Sequence, residues 1–183
     1  MFGCFRKSSK KITPAELKPL TYQEFLQIEG DYKMMCARAK ETFADKEAAL
    51  KEVLKLIGSI SAGENKSCDF IVHRGNHPCI CVAVVSMTEA KGVATLRYLL
   101  SDGIEKGSGV TMIGDVMSWS EKQGCGGKVR LVPDTDFLEK YYLKLGFVEV
   151  ENNFLGKILE LDPAKSNLWH KQKGRWTSVR DNI

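Results

Sequence analysis

The 183-residue chain has no run of 18 apolar residues, which excludes a conventional membrane-spanning helix. Its basic N-terminal residues are not followed by an apolar stretch, so they do not read as a secretory signal. No Cys-x-x-Cys pair occurs among the six cysteines Cys4, Cys36, Cys68, Cys79, Cys81 and Cys125. Zinc-ligand spacing is therefore missing, and no metal site is expected. Cys79 and Cys81 would lie on one face of a strand, a poor spacing for a disulfide. The cysteines read as reduced thiols packed as small apolar groups, which fits a reducing cytosol. A Walker loop and a Ser-His-Asp order are also lacking. His73 and His77 flank a turn and are given no role.

What is present is an ordinary globular balance, 43% hydrophobic and 27% charged, enough for one core without a staple. The net charge of +4 is unevenly spread. Residues 1–20 and 164–183 each carry a basic excess, and the body between them is acidic. Three units follow: a basic N-terminal tail (1–20), one domain (21–163) and a basic C-terminal tail (164–183). An acidic body argues against a nucleic-acid fold, so no nucleic acid is expected as partner. Cys4, between Phe2, Phe5 and a basic cluster, leaves peripheral membrane contact open at the N-terminus. The C-terminal segment Trp169–Trp176 interleaves aromatics with cations; its tryptophans either pack on the domain or stack on a base.

Along the chain, Thr21 and Glu24 have capping-box spacing, predicting a helix from about Tyr22, with Gly30 as an interruption. A second helix is expected from about Asp45 to Gly58, with Leu50, Val53, Leu54 and Ile57 at helical spacing. At most a short strand is expected near Lys11–Thr13. Phe70–His73 and Cys79–Met87 read as a hairpin, and Val93–Ser101 as a third strand. Gly107–Trp119 is helical, Lys128–Val132 a strand, and Phe137–Leu145 a helix closed by Gly146. Phe147–Val150 and Leu155–Leu161 form a last strand pair. This order predicts a mixed α/β fold, a mixed sheet flanked by helices.

Gly107-Ser108-Gly109 stands between a strand and a helix, where glycine lets the backbone approach a ligand and the free amides of the helix start suit an anion. Farther on, Tyr142-Leu143-Lys144-Leu145-Gly146-Phe147 reads as a helix-to-strand turn with glycine just past the helix end. In this order the two segments resemble those of the GNAT N-acetyltransferase superfamily, from about Phe70 to Asp162. There a strand–glycine loop–helix cradles the pyrophosphate of coenzyme A, and a later helix ends in Tyr-x-x-Leu-Gly-Phe. The chain departs from the family's Gln/Arg-x-x-Gly-x-Gly/Ala loop in placing Ile104 at its first position.

The resemblance implies a V-shaped splay in the sheet, with β-strands Val93–Ser101 and Lys128–Val132 parallel across the helical crossover. It implies acetyl-CoA as acyl donor and an amine as acceptor, small molecule or protein, held by Lys106, Gly107, Ser108, Gly109, Val110 and Thr111 at the donor end. By motif position Tyr142 is the acid that quenches the leaving thiolate, ahead of its neighbour Tyr141. The base is open among Asp102 and Glu89 at strand ends and Asp134 and Asp136 after the next strand. The acidic body favours a cationic acceptor. The alternative is a GNAT-like module without catalysis that binds a protein partner or a membrane.

Overall fold

A computed structural model describes residues 20–26, 68–74, 80–88, 92–101, 106–154 and 156–179, with isolated helical positions among residues 30–59. Residues 22–26 are helical, and the capping box forms reciprocally: the Thr21 amide donates to Glu24 Oε2 at 2.8 Å and the Glu24 amide to Thr21 Oγ1 at 3.3 Å. Gly30, expected as an interruption, is itself helical and exposed. Helical positions continue through Ser59, one past the expected stop at Gly58. The Lys11–Thr13 strand lies outside the described residues. Leu20 forms an isolated antiparallel bridge to Phe70.

Six strands form one sheet: β1 (Asp69–Arg74), β2 (Ile80–Thr88), β3 (Val93–Ser101), β4 (Val129–Leu131), β5 (Val148–Asn153) and β6 (Gly156–Leu161). Their spatial order is β1-β2-β3-β4-β6-β5. Helix α1 (Ser108–Lys122) crosses from β3 to β4, and that pair alone is parallel among the sheet's neighbours. Helix α2 (Asp136–Lys144) links β4 to β5. A mixed sheet with flanking helices is the architecture the element order predicts.

Two clusters cover the sheet. Phe25, Ile57, Cys68, Phe70, Val84 and Leu100 join the N-terminal helical residues to one face, with Phe25 and Phe70 stacked at 4.6 Å. The larger cluster packs α1 through Met112, Ile113, Val116 and Met117 onto Ile71, Ala83, Val85, Ala94, Leu96 and Val129. Trp119 Nε1 donates to Asp69 Oδ2 at 3.1 Å, fixing α1 to β1. Fully burying one such aliphatic side chain contributes about 1.5–3 kcal/mol, so this interface dominates stability.

Two further strands, β7 (Trp169–Gln172) and β8 (Arg175–Ser178), form a separate hairpin in a segment where the sequence reading placed none. Lys173 and Gly174 both have positive φ, 51° and 80°, the two-residue turn whose twist suits a hairpin. The hairpin lies across the outer face of α1. The Trp176 amide donates to Ser118 Oγ at 3.1 Å, Arg175 pairs with the buried Asp115, and Lys171 pairs with Glu121. Trp169 is buried, and its Nε1 donates to Leu145 O at 2.8 Å, at the end of α2. The two tryptophans thus pack on the domain.

Cys68 and Cys125 are buried thiols, not bridged in a disulfide. Burial pushes both thiols above their ordinary pKa; at Cys68 the Arg97 charge opposes that rise and the Asp69 charge adds to it. Since the folded values lie above the unfolded ones, the thiols favour folding below the ordinary thiol pKa of about 8.5, and that contribution is lost as pH rises through the folded values. Alkylation by iodoacetamide at pH 8 is expected to be slow at both in the native protein and fast in denaturant, by mass spectrometry. Equal rates in the two states would contradict this packing.

Candidate active site

Strand β3 is nine residues long, but only Ala94 and Thr95 pair with β4, opposite Val129 and Arg130. Beyond that point the two parallel strands part. The gap is a cleft of about 720 Å³, walled by Leu96–Ser101 on one side and Leu131–Asp134 on the other. Lys106–Val110 closes one end, and Phe137, Leu138, Tyr141 and Tyr142 of α2 line it as well. The V-shaped splay expected from the sequence is therefore present. Along this stretch no strand among the described residues pairs with the β4 side of β3, which turns that edge to the cleft.

A β-bulge sits in the same wall. Val84 pairs with Tyr98 and Val85 with Leu96, so Arg97 is an extra residue without a cross-strand partner. Bulges bend a strand and re-aim side chains, and they gather beside active sites. Tyr98 and Leu100 thereby share the face of Val84, towards the N-terminal helical residues.

The glycine loop enters α1 through Gly107, whose φ of 86° is left-handed and favours glycine. No side chain caps this end, and no acidic residue stands in the first turn. The Thr111 amide already donates to Gly107 O at 3.0 Å, so the amides of Ser108, Gly109 and Val110 are the ones without an intrahelical acceptor. Lys106 to Val110 line the cleft, whereas Thr111 lines a smaller cavity of about 140 Å³ under the hairpin. Ser108 Oγ lies 2.8 Å from Ser101 Oγ, tying the start of α1 to the end of β3. A Cβ on Gly109 would stand 3.3 Å from the Tyr141 hydroxyl, a close contact.

Tyr142 is placed by the turn that ends α2. Phe147 N donates to Tyr142 O at 3.2 Å and Gly146 N to Leu143 O at 3.1 Å, with Gly146 at φ 93°. This is the Schellman pattern, in which the residue after the glycine also touches the one five before it. Here those are Phe147 and Tyr142, whose ring centroids are 5.3 Å apart. The Tyr-x-x-Leu-Gly-Phe spacing thus locks the Tyr142 ring in place, 7% exposed, against the cleft. Tyr141, ranked behind Tyr142 in the sequence reading, also lines the cleft and meets Tyr142 edge to face at 5.4 Å.

Of the carboxylates considered, Asp134 lines the cleft, and Asp136 begins α2 without lining it. Asp102, Glu89 and Ile104 lie outside the described residues. Sequence reasoning named Asp134 but missed Arg97 and Tyr98 in the opposite wall; a basic residue inside an otherwise apolar strand was the available signal. No group of three or more potential metal ligands occurs among the described residues. Among them, too, no helix is long and apolar enough to cross a membrane.

No protein-family model matches the chain, and no curated protein matches it. Among solved structures it is similar to GCN5 from Tetrahymena, at 14% identity over 74% of this chain and 86% of that one, with a TM-score of 0.48. It is similar to PaiA N-acetyltransferase from Thermoplasma acidophilum, solved in complex with coenzyme A, at 17% identity, 79% and 96% coverage and a TM-score of 0.45. A GNAT-family protein from Desulfovibrio desulfuricans gives 14%, 79%, 96% and 0.47. These are remote likenesses of fold, so what the cleft does has to come from its own residues. The parted parallel pair, the glycine loop and the Tyr-x-x-Leu-Gly-Phe turn make the architecture GNAT-like.

Proposed function

We propose that the chain is an acyl-CoA-dependent N-acyltransferase that moves an acetyl group from acetyl-CoA to an amine. One observation carries this reading: the parting of β3 from β4 puts uncapped helix amides, a bare strand edge and a positioned tyrosine around a single cleft. Each supplies a different need of the transfer. The amides of Ser108, Gly109 and Val110, with Lys106 beside them, suit a pyrophosphate. The β3 edge offers main-chain groups to an extended amide-bearing arm, as a strand would, and an aligned N–H there polarises a thioester carbonyl. Tyr142 holds a proton for the departing thiolate, and Asp134 is the described carboxylate placed to take one from the attacking amine, directly or through water.

The rest of the lining is apolar, including Leu96, Leu99, Val110, Leu131 and Leu138, which lowers the local dielectric and strengthens such polar contacts. The buried, unbridged thiols of Cys68 and Cys125 suit a reducing compartment such as the cytosol.

Calorimetric titration with acetyl-CoA tests the donor assignment directly, and absence of binding would remove it. The Gly109→Leu variant sharpens the test. Its side chain would enter the approach to the amides and press on Tyr141, where even a Cβ comes within 3.3 Å. Acetyl-CoA affinity is expected to fall by at least about tenfold, the equivalent of roughly 1.4 kcal/mol, while the fold is retained. Unchanged affinity would make the loop a connector only.

A further inference from the structure

Two cations, Arg97 and Lys106, line the cleft. Lys106 belongs to the glycine loop at the start of α1. Arg97 is the extra residue of the β3 bulge, and its Nε donates to Ser86 Oγ at 2.9 Å. That bond turns the side chain towards β2, on the face shared by Val84 and Tyr98. Among the described residues no carboxylate pairs with Arg97, and nothing accepts from its two terminal nitrogens. An exposed, anchored guanidinium in a mostly apolar wall is an unused fork of donors, and a fork of that shape matches a carboxylate in two parallel bonds. Tyr98 follows it on the same strand, 37% exposed, and offers an apolar surface beside the fork.

We infer that the acceptor is an amine that also carries a carboxylate, an amino acid or a compound of that type, and that Arg97 binds the carboxylate while the amine is presented to the transfer centre. This rests on the acyltransferase reading above, and it reverses the preference for a purely cationic acceptor that the acidic body suggested. Arg97 is a specificity residue here: it touches the substrate and takes no proton. With the Nε edge fixed on Ser86, the outer Nη1/Nη2 edge is the one available.

The test uses the full chain, acetyl-CoA and matched acceptor pairs that differ only by the carboxylate: glycine against methylamine, β-alanine against ethylamine, lysine against cadaverine. Calorimetry with acetyl-CoA is run first on wild type, Arg97→Ala and Arg97→Lys. All three are expected to bind it alike. In wild type at least one carboxylate-bearing member is expected to exceed its partner in kcat/KM by about ten- to a hundred-fold, the range of a charge-assisted hydrogen-bonded pair. Arg97→Ala is expected to erase that margin through KM with kcat little changed, and Arg97→Lys, which keeps the charge but loses the fork, to restore part of it. No margin in wild type, no acetylation of any member, or a margin that survives in Arg97→Ala would overturn the inference while leaving donor binding intact. Failure of wild type to bind acetyl-CoA would instead sink the acyltransferase reading, and the inference with it.

Discussion

Replacing Tyr142 with phenylalanine is expected to lower turnover by roughly 10²- to 10⁴-fold, the usual worth of a positioned general acid, and to leave acetyl-CoA affinity nearly unchanged. The substitution removes one oxygen and keeps the ring that packs on Phe147 and Tyr141. The Schellman turn is made by main-chain groups and Gly146, so its geometry does not depend on the hydroxyl. Steady-state rates with an accepted amine, set beside calorimetry, separate the two quantities. A variant as fast as wild type would return Tyr142 to packing alone. A wild-type protein that binds acetyl-CoA yet acetylates no amine would favour the noncatalytic module.

The hairpin gives the second large effect, on stability. Gly114 faces the hairpin from the middle of α1, and a Cβ there would lie 2.3 Å from the Trp176 carbonyl oxygen. That obstacle is backbone, so either the helix or β8 must move. Gly114→Ala is expected to cost about 1–3 kcal/mol, as overpacking does, even though alanine is the better helix former. For a chain of this size the melting temperature should fall by roughly 2–4 °C per kcal/mol. A variant that melts with wild type or above it would mean that β7–β8 does not lie against α1.

These contacts also mark what was readable in the sequence. Thr21 and Glu24 announced a helix start because a capping box is local, needing only residues three apart. The long apolar helix between Val93–Ser101 and Lys128–Val132 announced a parallel pair, since a crossover of that length permits little else. Leu145-Gly146-Phe147 announced the end of α2 for the same local reason. The bulge at Arg97 was not legible: V-A-T-L-R-Y-L-L-S is a uniform strand sequence, and the extra residue exists only relative to the register of β2. The hairpin was missed because its strands are four residues each, mostly polar, and turn at Lys-Gly rather than at Asn-Gly or Asp-Gly. Its reason for folding lies on α1, in Gly114, Asp115 and Ser118. Of the six residues expected at the anion site, Thr111 alone falls outside the cleft, its amide taken up by the helix's own bonding.

The docking of β8 on α1 also bears on how the chain is made. Arg175 and its partner Asp115 are 60 residues apart in sequence. At about 5–20 residues per second, synthesis takes roughly 3–12 s to travel from one to the other. During that interval the outer side of α1 has no hairpin over it, and the buried Asp115 carboxylate has no arginine. Nascent protein should therefore remain open to chaperones and proteases at this helix until the hairpin leaves the ribosome, whatever the rate at which the sheet itself assembles.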